Sequence, residues 1–126
     1  MFDRVGLANT AALGIQIGDS GGIEASGYNG SCGGLISGVV TNNSASFALQ
    51  NANGAAFTYS GVAVLTLMNV ANFTWAFSSI FTEDTTSPTH FTCSGTKDLS
   101  AALDRVRLMS STAQTFDAGT FNIMWE

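Results

Sequence analysis

Residues 62–79 read VAVLTLMNVANFTWAFSS, and this stretch decides the fold class. From Phe73 to Ser79 aromatic residues alternate with small or polar ones, the period of two that is typical of a β-strand with one buried face. The apolar run at residues 62–68 predicts a partner strand, and Asn69–Asn72 predicts the turn between them. The stretch therefore predicts an antiparallel hairpin.

Similar short runs, rich in β-branched and aromatic residues, recur along the chain, and Gly, Asn and Ser separate them. Further strands are predicted at residues 12–17, 35–41, 45–50, 55–60, 89–93, 103–109 and 120–125. The turn signals between them are Gly21-Gly22, Asn29-Gly30, Asn42-Asn43, Asn53-Gly54, Ser94-Gly95 and Ala118-Gly119. Residues 97–107 also fit helical spacing, and we interpret them as a turn followed by a strand.

The pattern predicts an all-β protein, a single-domain β-sandwich of about eight or nine short antiparallel strands and of jelly-roll type. A chain of 126 residues is the size of one ordinary domain, so we expect one domain over residues 1–126. Residues 1–30 are rich in glycine. An extended arm that is ordered by a neighbouring molecule is the alternative for this segment.

Composition limits the classes of partner. Hydrophobic residues make up 45% of the chain and charged residues 10%, which favours a buried core over disorder. The formal net charge of −5 repels both a phosphate backbone and an anionic lipid surface, so we predict no nucleic-acid partner and no membrane partner. Residues 1–4 lack the basic and apolar pattern of an export signal, and we expect none.

Cys32 and Cys93 are the two cysteines of the sequence. They are too few and too far apart for a zinc site, which usually needs close pairs of cysteine or histidine, so we predict no metal. Without an export signal the chain is expected in a reducing cytosol, where structural disulfides are rare. Two buried thiols are therefore the expectation, and a disulfide is the alternative if the fold brings the two residues together.

The segment Gly18-Asp19-Ser20-Gly21-Gly22 matches the segment around the nucleophile of chymotrypsin-like serine proteases. In those enzymes the catalytic histidine and aspartate precede the serine, whereas His90, the one histidine of this chain, follows it. We interpret residues 18–22 as a turn, and Glu83 and Asp84 near His90 as part of an exposed loop. We predict that the protein is not an enzyme, with no catalytic residue and no cofactor.

The aromatic face at residues 73–77 could stack on a sugar ring, but core packing is the interpretation we adopt. Near the C-terminus, Phe116 and Phe121 flank Asp117-Ala118-Gly119, which predicts a second hairpin. Arg105 and Arg107 would share one face of the preceding strand. We expect them to form ion pairs with Asp117 or Glu126, or with a neighbouring subunit.

The segments LDRVRL at residues 103–108 and TFDAGTFNIMWE at residues 115–126 resemble the end of small β-sandwich modules in virion proteins of tailed bacteriophages. The strand entry Asn72-Phe73-Thr74-Trp75 is similar to the same group. The resemblance covers about half the chain, and it lies in strand and turn patterns.

This resemblance implies a virion structural protein. The role that we expect first is that of a capsid decoration or cement protein on the outer capsid surface. Its copies are expected to form homotrimers and to bridge major capsid proteins. The alternative is a tail-fibre or receptor-binding module that recognises a carbohydrate of the host surface, with Tyr28, Asn29, Glu83 and Asp84 as candidate ligand-binding residues. Because the sequence has no heptad repeat and no long linker for attachment to a fibre, it favours the decoration protein.

Overall fold

The computed structural model describes residues 1–34, 40–50, 57–85 and 87–125. These residues form β-strands and no helix. The strands are β1 (Phe2–Leu7), β2 (Leu13–Asp19), β3 (Gly22–Ile23), β4 (Asn29–Gly34), β5 (Val40–Asn43), β6 (Phe47–Ala48), β7 (Thr58–Asn69), β8 (Thr74–Asp84), β9 (His90–Asp98), β10 (Arg105–Ser110) and β11 (Phe116–Phe121).

The strands form two antiparallel sheets that pack on each other. The larger sheet has seven strands in the order β11-β1-β7-β8-β9-β4-β5, and the smaller has four, with β10 on one side of β2 and β3 and β6 on the other. The predicted all-β sandwich is therefore confirmed. The order is dominated by the β7-β8-β9 meander and does not establish the jelly-roll subtype, which stays a prediction.

The core lies between the two sheets. Ile15 and Ile17 of β2 are buried on the side of the smaller sheet. Phe47 of β6 stacks on Phe77 of β8 with ring centroids 4.6 Å apart, and the Tyr28 ring meets Phe47 edge-on at 4.9 Å. The stacking of Phe47 on Phe77 joins the two sheets, because β6 belongs to the smaller sheet and β8 to the larger one.

The hairpin predicted at residues 62–79 is confirmed. Its strands β7 and β8 contain 12 and 11 residues, and they pair from Thr58 opposite Asp84 to Asn69 opposite Thr74. Phe73 lies in the turn with a φ of 50°, one residue before the strand begins. Phe77 is buried, and Phe73 and Trp75 pack against the core, so core packing is the correct interpretation of this face.

Four of the predicted turns are wrong, because their residues lie inside β4, β5, β9 and β11. These turns are Asn29-Gly30, Asn42-Asn43, Ser94-Gly95 and Ala118-Gly119. Gly30 and Gly95 are opposite each other across β4 and β9. A Cβ atom on Gly30 would lie 2.8 Å from the Ser94 carbonyl oxygen. These two glycines therefore allow a close approach of strands and do not reverse the chain.

The predicted C-terminal hairpin is also wrong, because residues 116–121 form one continuous strand beside β1. Gly119 has a φ of +85°, and a Cβ atom there would lie 2.4 Å from the Arg4 carbonyl carbon. The pairing of β1 with β11 shifts register between Asp3 and Gly6, at this same place. Gly119 thus accommodates a β-bulge, and the strand predicted at residues 120–125 ends at Phe121.

Residues 1–30 contribute strands to both sheets. Strand β1 lies between β11 and β7, and β2 pairs with β3, β6 and β10. The strands predicted at residues 12–17, 45–50, 55–60, 89–93 and 103–109 overlap β2, β6, β7, β9 and β10. Of the predicted strand 35–41, residues 40–41 fall in β5, whereas residues 35–39 and the predicted turn Asn53-Gly54 lie outside the described residues.

Cys32 and Cys93 form a disulfide, so the expectation of two free thiols is wrong. The two residues are opposite each other in the register of β4 and β9, and both are buried. The bond closes a sequence separation of 61 residues. The spacing of the cysteines could not reveal this pairing, because it depends on which strands are neighbours.

Gly61 provides a test of the β7-β8 pairing. A Cβ atom at this position would lie 2.2 Å from the Ile80 carbonyl oxygen and 2.9 Å from the Phe81 Cα atom. We expect Gly61→Ala to lower the free energy of unfolding by about 1–3 kcal/mol, the usual cost of overpacking. Urea denaturation measures this change. Gly33→Ala is the matched control, because nothing lies within 4 Å of a Cβ at Gly33, and equal losses in both variants would contradict the prediction.

Candidate functional site

The protease-like segment at residues 18–22 forms the turn between β2 and β3, as predicted. Asp19 is opposite Gly22, and the Asp19 Oδ1 atom accepts a hydrogen bond from the Gly21 N–H at 2.7 Å. Ser20 is exposed at this turn of the smaller sheet, whereas His90 begins β9 in the larger sheet. The His90 Nδ1 atom lies 3.1 Å from the Thr82 hydroxyl.

A partly buried polar cluster connects the β3-β4 region with the end of β9. Its members are Asp19, Tyr28 and Lys97, which are buried, Glu24, which is half-buried, and Ser100, which is exposed. The Lys97 side chain is 5% exposed, and its ammonium donates to the Glu24 carboxylate and to the Asp98 carbonyl oxygen. The other Glu24 oxygen accepts the Ser100 N–H at 3.0 Å. We call this group the Lys97 cluster.

The two remaining side chains of the Lys97 cluster extend it into the smaller sheet. The Tyr28 hydroxyl donates to the Glu24 carbonyl oxygen at 2.8 Å and accepts the Ile17 N–H at 2.8 Å. The Ser100 hydroxyl donates to the Asp19 carboxylate at 2.5 Å. The sequence did not reveal this cluster, because Glu24 and Lys97 are 73 residues apart.

The electrostatics of the Lys97 cluster favour the charged forms of its carboxyl groups. Burial raises the pKa of Glu24, but the Lys97 ammonium and the Ser100 N–H outweigh it and bring this pKa below its ordinary value. Hydrogen bonds from the Ser100 hydroxyl and the Gly21 N–H lower the pKa of Asp19. These contacts join residues of β2, of the segment after β3 and of the end of β9, so the arrangement is suited to holding the sheets together.

The lowered pKa values of Asp19 and Glu24 predict acid sensitivity. Because these carboxyl groups bind protons more weakly in the folded state, they contribute to stability at pH values above their ordinary pKa values of 3.8 for Asp19 and 4.5 for Glu24. This contribution is lost as the pH falls below the ordinary pKa values and through the lowered pKa values of the folded state. Urea denaturation between pH 7 and pH 3 should show this decline.

Ser100→Ala tests the origin of the acid sensitivity, since it removes the hydroxyl that donates to Asp19. We expect a smaller decline of the free energy of unfolding in acid for this variant. Ser31→Ala, at an exposed position outside the Lys97 cluster, is the control and should keep the wild-type profile. An unchanged profile for Ser100→Ala would contradict the assignment.

The four candidate ligand-binding residues do not form one site. Tyr28 is buried, and Asn29 is opposite Thr96 at one end of the larger sheet. Glu83 and Asp84 lie at the other end, where Asp84 is opposite Thr58. Glu83 is buried within β8, so its predicted place in an exposed loop is wrong.

The two C-terminal arginines do not pair with the predicted Asp117, whereas Glu126 lies outside the described residues and a pair with a neighbouring subunit stays a prediction. The Arg105 Nε atom lies 3.1 Å from the Oδ1 atom of its neighbour Asp104, and both side chains are about half exposed. Arg107 donates to the side-chain oxygen of Gln16 on β2. Among described residues, Asp117 takes part in no ion pair with either arginine.

A shallow groove of about 640 Å³ lies across the ends of β4, β5 and β9. Its lining includes Asn29, Ser31, Asn42 and Ser94, whose side chains are neutral hydrogen-bonding groups. The ring of Tyr28 borders the groove but is buried. The groove can therefore accept hydrogen bonds from a polar ligand, while its described lining offers no exposed aromatic ring for stacking.

Most of the exposed large apolar side chains in the described part of the chain lie at two places. The first, which we call the hairpin surface, follows β7, its turn and β8, with exposures of 42–72%. Its members are Val62, Val64, Leu67, Met68, Val70 and Ile80. The second follows the C-terminus and consists of Phe121, Ile123, Met124 and Trp125, the last of them 87% exposed. Exposed apolar side chains in such numbers are typical of interaction sites.

Strand β7 has a neighbour on both sides only along its first part. Phe2 of β1 is opposite Gly61, whereas residues 62–69 are paired, in the described part of the chain, with β8 alone. Residues 62–68 therefore form an edge of the larger sheet, which we call the open edge. The open edge contains no charged residue and no proline. Charged residues and proline are the residue types with which proteins usually protect such edges.

Comparison with family models, curated proteins and solved structures finds no match for this chain. The described residues include no group of three or more His, Cys, Asp or Glu placed to hold a metal ion. They also include no helix that is long and apolar enough to cross a membrane.

Proposed function

We propose that the protein is a non-enzymatic structural protein of a tailed-phage virion, a capsid decoration protein that binds the outer capsid surface and bridges major capsid proteins. The observation that supports this proposal is the exposed apolar surface at the hairpin and the C-terminus. Burial of such surface against another protein provides a driving force of about 25 cal/mol per Å² before the costs of association. The resemblance of the C-terminal segments to virion modules supplies the biological setting.

The proposed mechanism is adhesion. A protein that binds only the assembled shell stabilises that shell by mass action, because disassembly must first release it. Trp125 is suited to anchor such a contact, since it is 87% exposed and tryptophan is prominent among residues that dominate binding energy. The net charge of −5 disfavours contact with packaged DNA and agrees with a place outside the shell. Assembly as a homotrimer stays a prediction.

A second candidate function is a tail-fibre or receptor-binding module that holds a carbohydrate. The groove across the ends of β4, β5 and β9 favours it, because amide and hydroxyl side chains such as Asn29 and Ser94 match the hydrogen-bonding groups of sugars. The candidate residues Glu83 and Asp84 lie away from this groove and take no part in it.

Cryo-EM reconstruction of the virion tests both candidates. Regular density for this chain on the capsid lattice, in contact with neighbouring capsid subunits, is the result expected for a decoration protein. Density confined to the tail would contradict the first candidate and support the second, and absence from the virion would contradict both. Virions that lack the protein should also release their DNA at a lower temperature, which a fluorescent dye measures.

A further inference from the structure

Strands β4 and β5 lie together at one side of the larger sheet, and we call them the β4-β5 pair. Strand β4 pairs with β9 over all six of its residues, and β5 pairs, in the described part of the chain, with β4 alone. Cys32 of β4 is opposite Cys93 of β9 within this ladder. Their disulfide is therefore a covalent link between the β4-β5 pair and the rest of the sheet.

The side chains of β4 contribute little to the packing of the sheet. Three of its six residues are glycine, and Asn29 and Ser31 are exposed. Cys32 is the one residue of β4 in the hydrophobic core, whereas β8 contributes both Phe77 and Phe81. Glycine weakens a strand because it offers no side chain to pack and loses much conformational freedom. The attachment of β4 to β9 therefore depends on backbone hydrogen bonds and on the disulfide.

The two ends of the β4-β5 pair are held differently. At one end the buried Tyr28 donates its N–H to the Ser44 carbonyl oxygen at 3.1 Å. The Tyr28 hydroxyl accepts the Ile17 N–H at 2.8 Å, which ties this end to the smaller sheet. At the other end β4 finishes with Gly33 and Gly34. We therefore expect an opening of the pair to begin at Gly34 and to hinge at Tyr28.

The surroundings of Cys93 also suit a free thiol. The Leu49 carbonyl oxygen lies 3.4 Å from the Cys93 Sγ atom. In the disulfide this sulfur carries no hydrogen, whereas the thiol formed by reduction can donate to the carbonyl group. Because a buried donor without an acceptor is costly, this carbonyl group favours a reduced form that keeps the core around Cys93 intact.

We propose that the disulfide between Cys32 and Cys93 is a redox switch that controls the attachment of the β4-β5 pair to β9. While the bond is closed, the pair stays on the sheet. After reduction the pair opens about its hinge at Tyr28, and the rest of the sandwich stays folded. Cys32 is two residues from the end of β4, so fraying of Gly33 and Gly34 brings a dissolved thiol within reach of its sulfur.

The switching step is a thiol–disulfide exchange with a dithiol. One thiolate of the dithiol attacks the Cys32 sulfur, the S–S bond breaks, and Cys93 leaves as a thiolate. The second thiolate then attacks the reductant sulfur of this mixed disulfide, forms a cyclic disulfide and releases Cys32. Two electrons and two protons pass from the dithiol to the two cysteines, and a cyclic disulfide as oxidant reverses the step.

The switch acts on the groove across β4, β5 and β9. Ser31 and Ser94 line this groove and are opposite each other in the ladder, directly beside the two cysteines in the sequence. Opening of the β4-β5 pair parts them, so the reduced protein lacks the groove. Release of a carbohydrate on reduction would follow, a consequence that rests on the second candidate function, whereas the switch itself does not.

Nuclear magnetic resonance of the full chain tests the switch, with and without excess dithiothreitol. Nuclear Overhauser contacts between the backbone protons of β4 and β9 should be present in the oxidised protein and lost in the reduced one. Those between β7 and β8 should persist in both. Intact mass confirms reduction as a gain of two hydrogen atoms, and oxidised dithiothreitol should restore the lost contacts.

Two variants separate the switch from a general loss of stability. Cys32→Ala with Cys93→Ala should lack the β4-β9 contacts without reductant and should not respond to it. Gly61→Ala, which is destabilised in β7 but keeps the disulfide, should retain the β4-β9 contacts.

Three results would each overturn the proposal. They are persistence of the β4-β9 contacts after reduction, loss of the β7-β8 contacts together with them, and failure of the dithiol to reduce the folded protein. None of the three depends on the ligand of the groove or on the place of the protein in a virion, so each would leave the proposed function standing.

Discussion

Replacement of Cys32 and Cys93 together by Ala should lower the free energy of unfolding by about 4 kcal/mol, the chain-entropy value for a closed loop of this size. The disulfide spans a sequence separation of 61 residues, so it removes many conformations from the unfolded chain. Domains of this kind are usually stable by only about 5–15 kcal/mol. Equilibrium urea denaturation of the double variant and the wild type measures the difference.

Reductant provides the control for the disulfide prediction. Wild-type protein unfolded and equilibrated with a thiol reductant should shift to the midpoint of the double variant, and the double variant should not respond to the reductant. A wild-type midpoint that is insensitive to the reductant would show that the cysteines are not bonded in solution. Near-ultraviolet circular dichroism would report whether the variant keeps its packed core.

Phe47→Ala is the second change for which we expect a large loss, of about 3–5 kcal/mol. Phe47 is 1% exposed, stacks on Phe77 and meets Tyr28 edge-on, so its removal leaves a cavity between the sheets. Strand β6 contains only two residues, and the Phe47 ring provides its aromatic contact with β8 of the larger sheet. Thermal unfolding followed by circular dichroism measures the effect.

Phe116→Ala is the matched control for Phe47→Ala, since it removes the same side chain from an exposed position. Phe116 is 39% exposed, so its truncation removes less buried area than that of Phe47, and we expect a loss of no more than about 1 kcal/mol. Similar losses at both positions would mean that Phe47 does not occupy the centre of the core. If Phe116→Ala alone were destabilising, the burial of the two rings would be the reverse of that described here.

The part of the fold that follows from local patterns could be predicted from the sequence. The hairpin of β7 and β8 was found because Trp75 and Phe77 alternate with small or polar residues, a signal carried by neighbours in the chain. Strands β1 and β4 were missed because their sequences contain charged or glycine residues in place of alternating apolar ones. Glycines at 30 and 95 suggested turns, but the close approach of two distant strands is what requires them.

The candidate site was less predictable, because its features depend on pairing over long sequence separations. Glu24 and Lys97 carry no local sign that they meet, and Cys32 and Cys93 gave no sign that they bond. The open edge arises because β1 ends its pairing at Gly61, a property of topology and not of the residues at 62–68.

The disulfide between Cys32 and Cys93 also allows the rate at which β4 separates from β9 to be measured. Both sulfur atoms are buried, so a dissolved thiol reaches them only during a local opening of the sheet. When the attack is fast compared with reclosing, the rate of reduction becomes independent of thiol concentration and equals the opening rate. A chromatographic assay of reduced protein over time would therefore give the lifetime of the closed sheet under native conditions, with no denaturant.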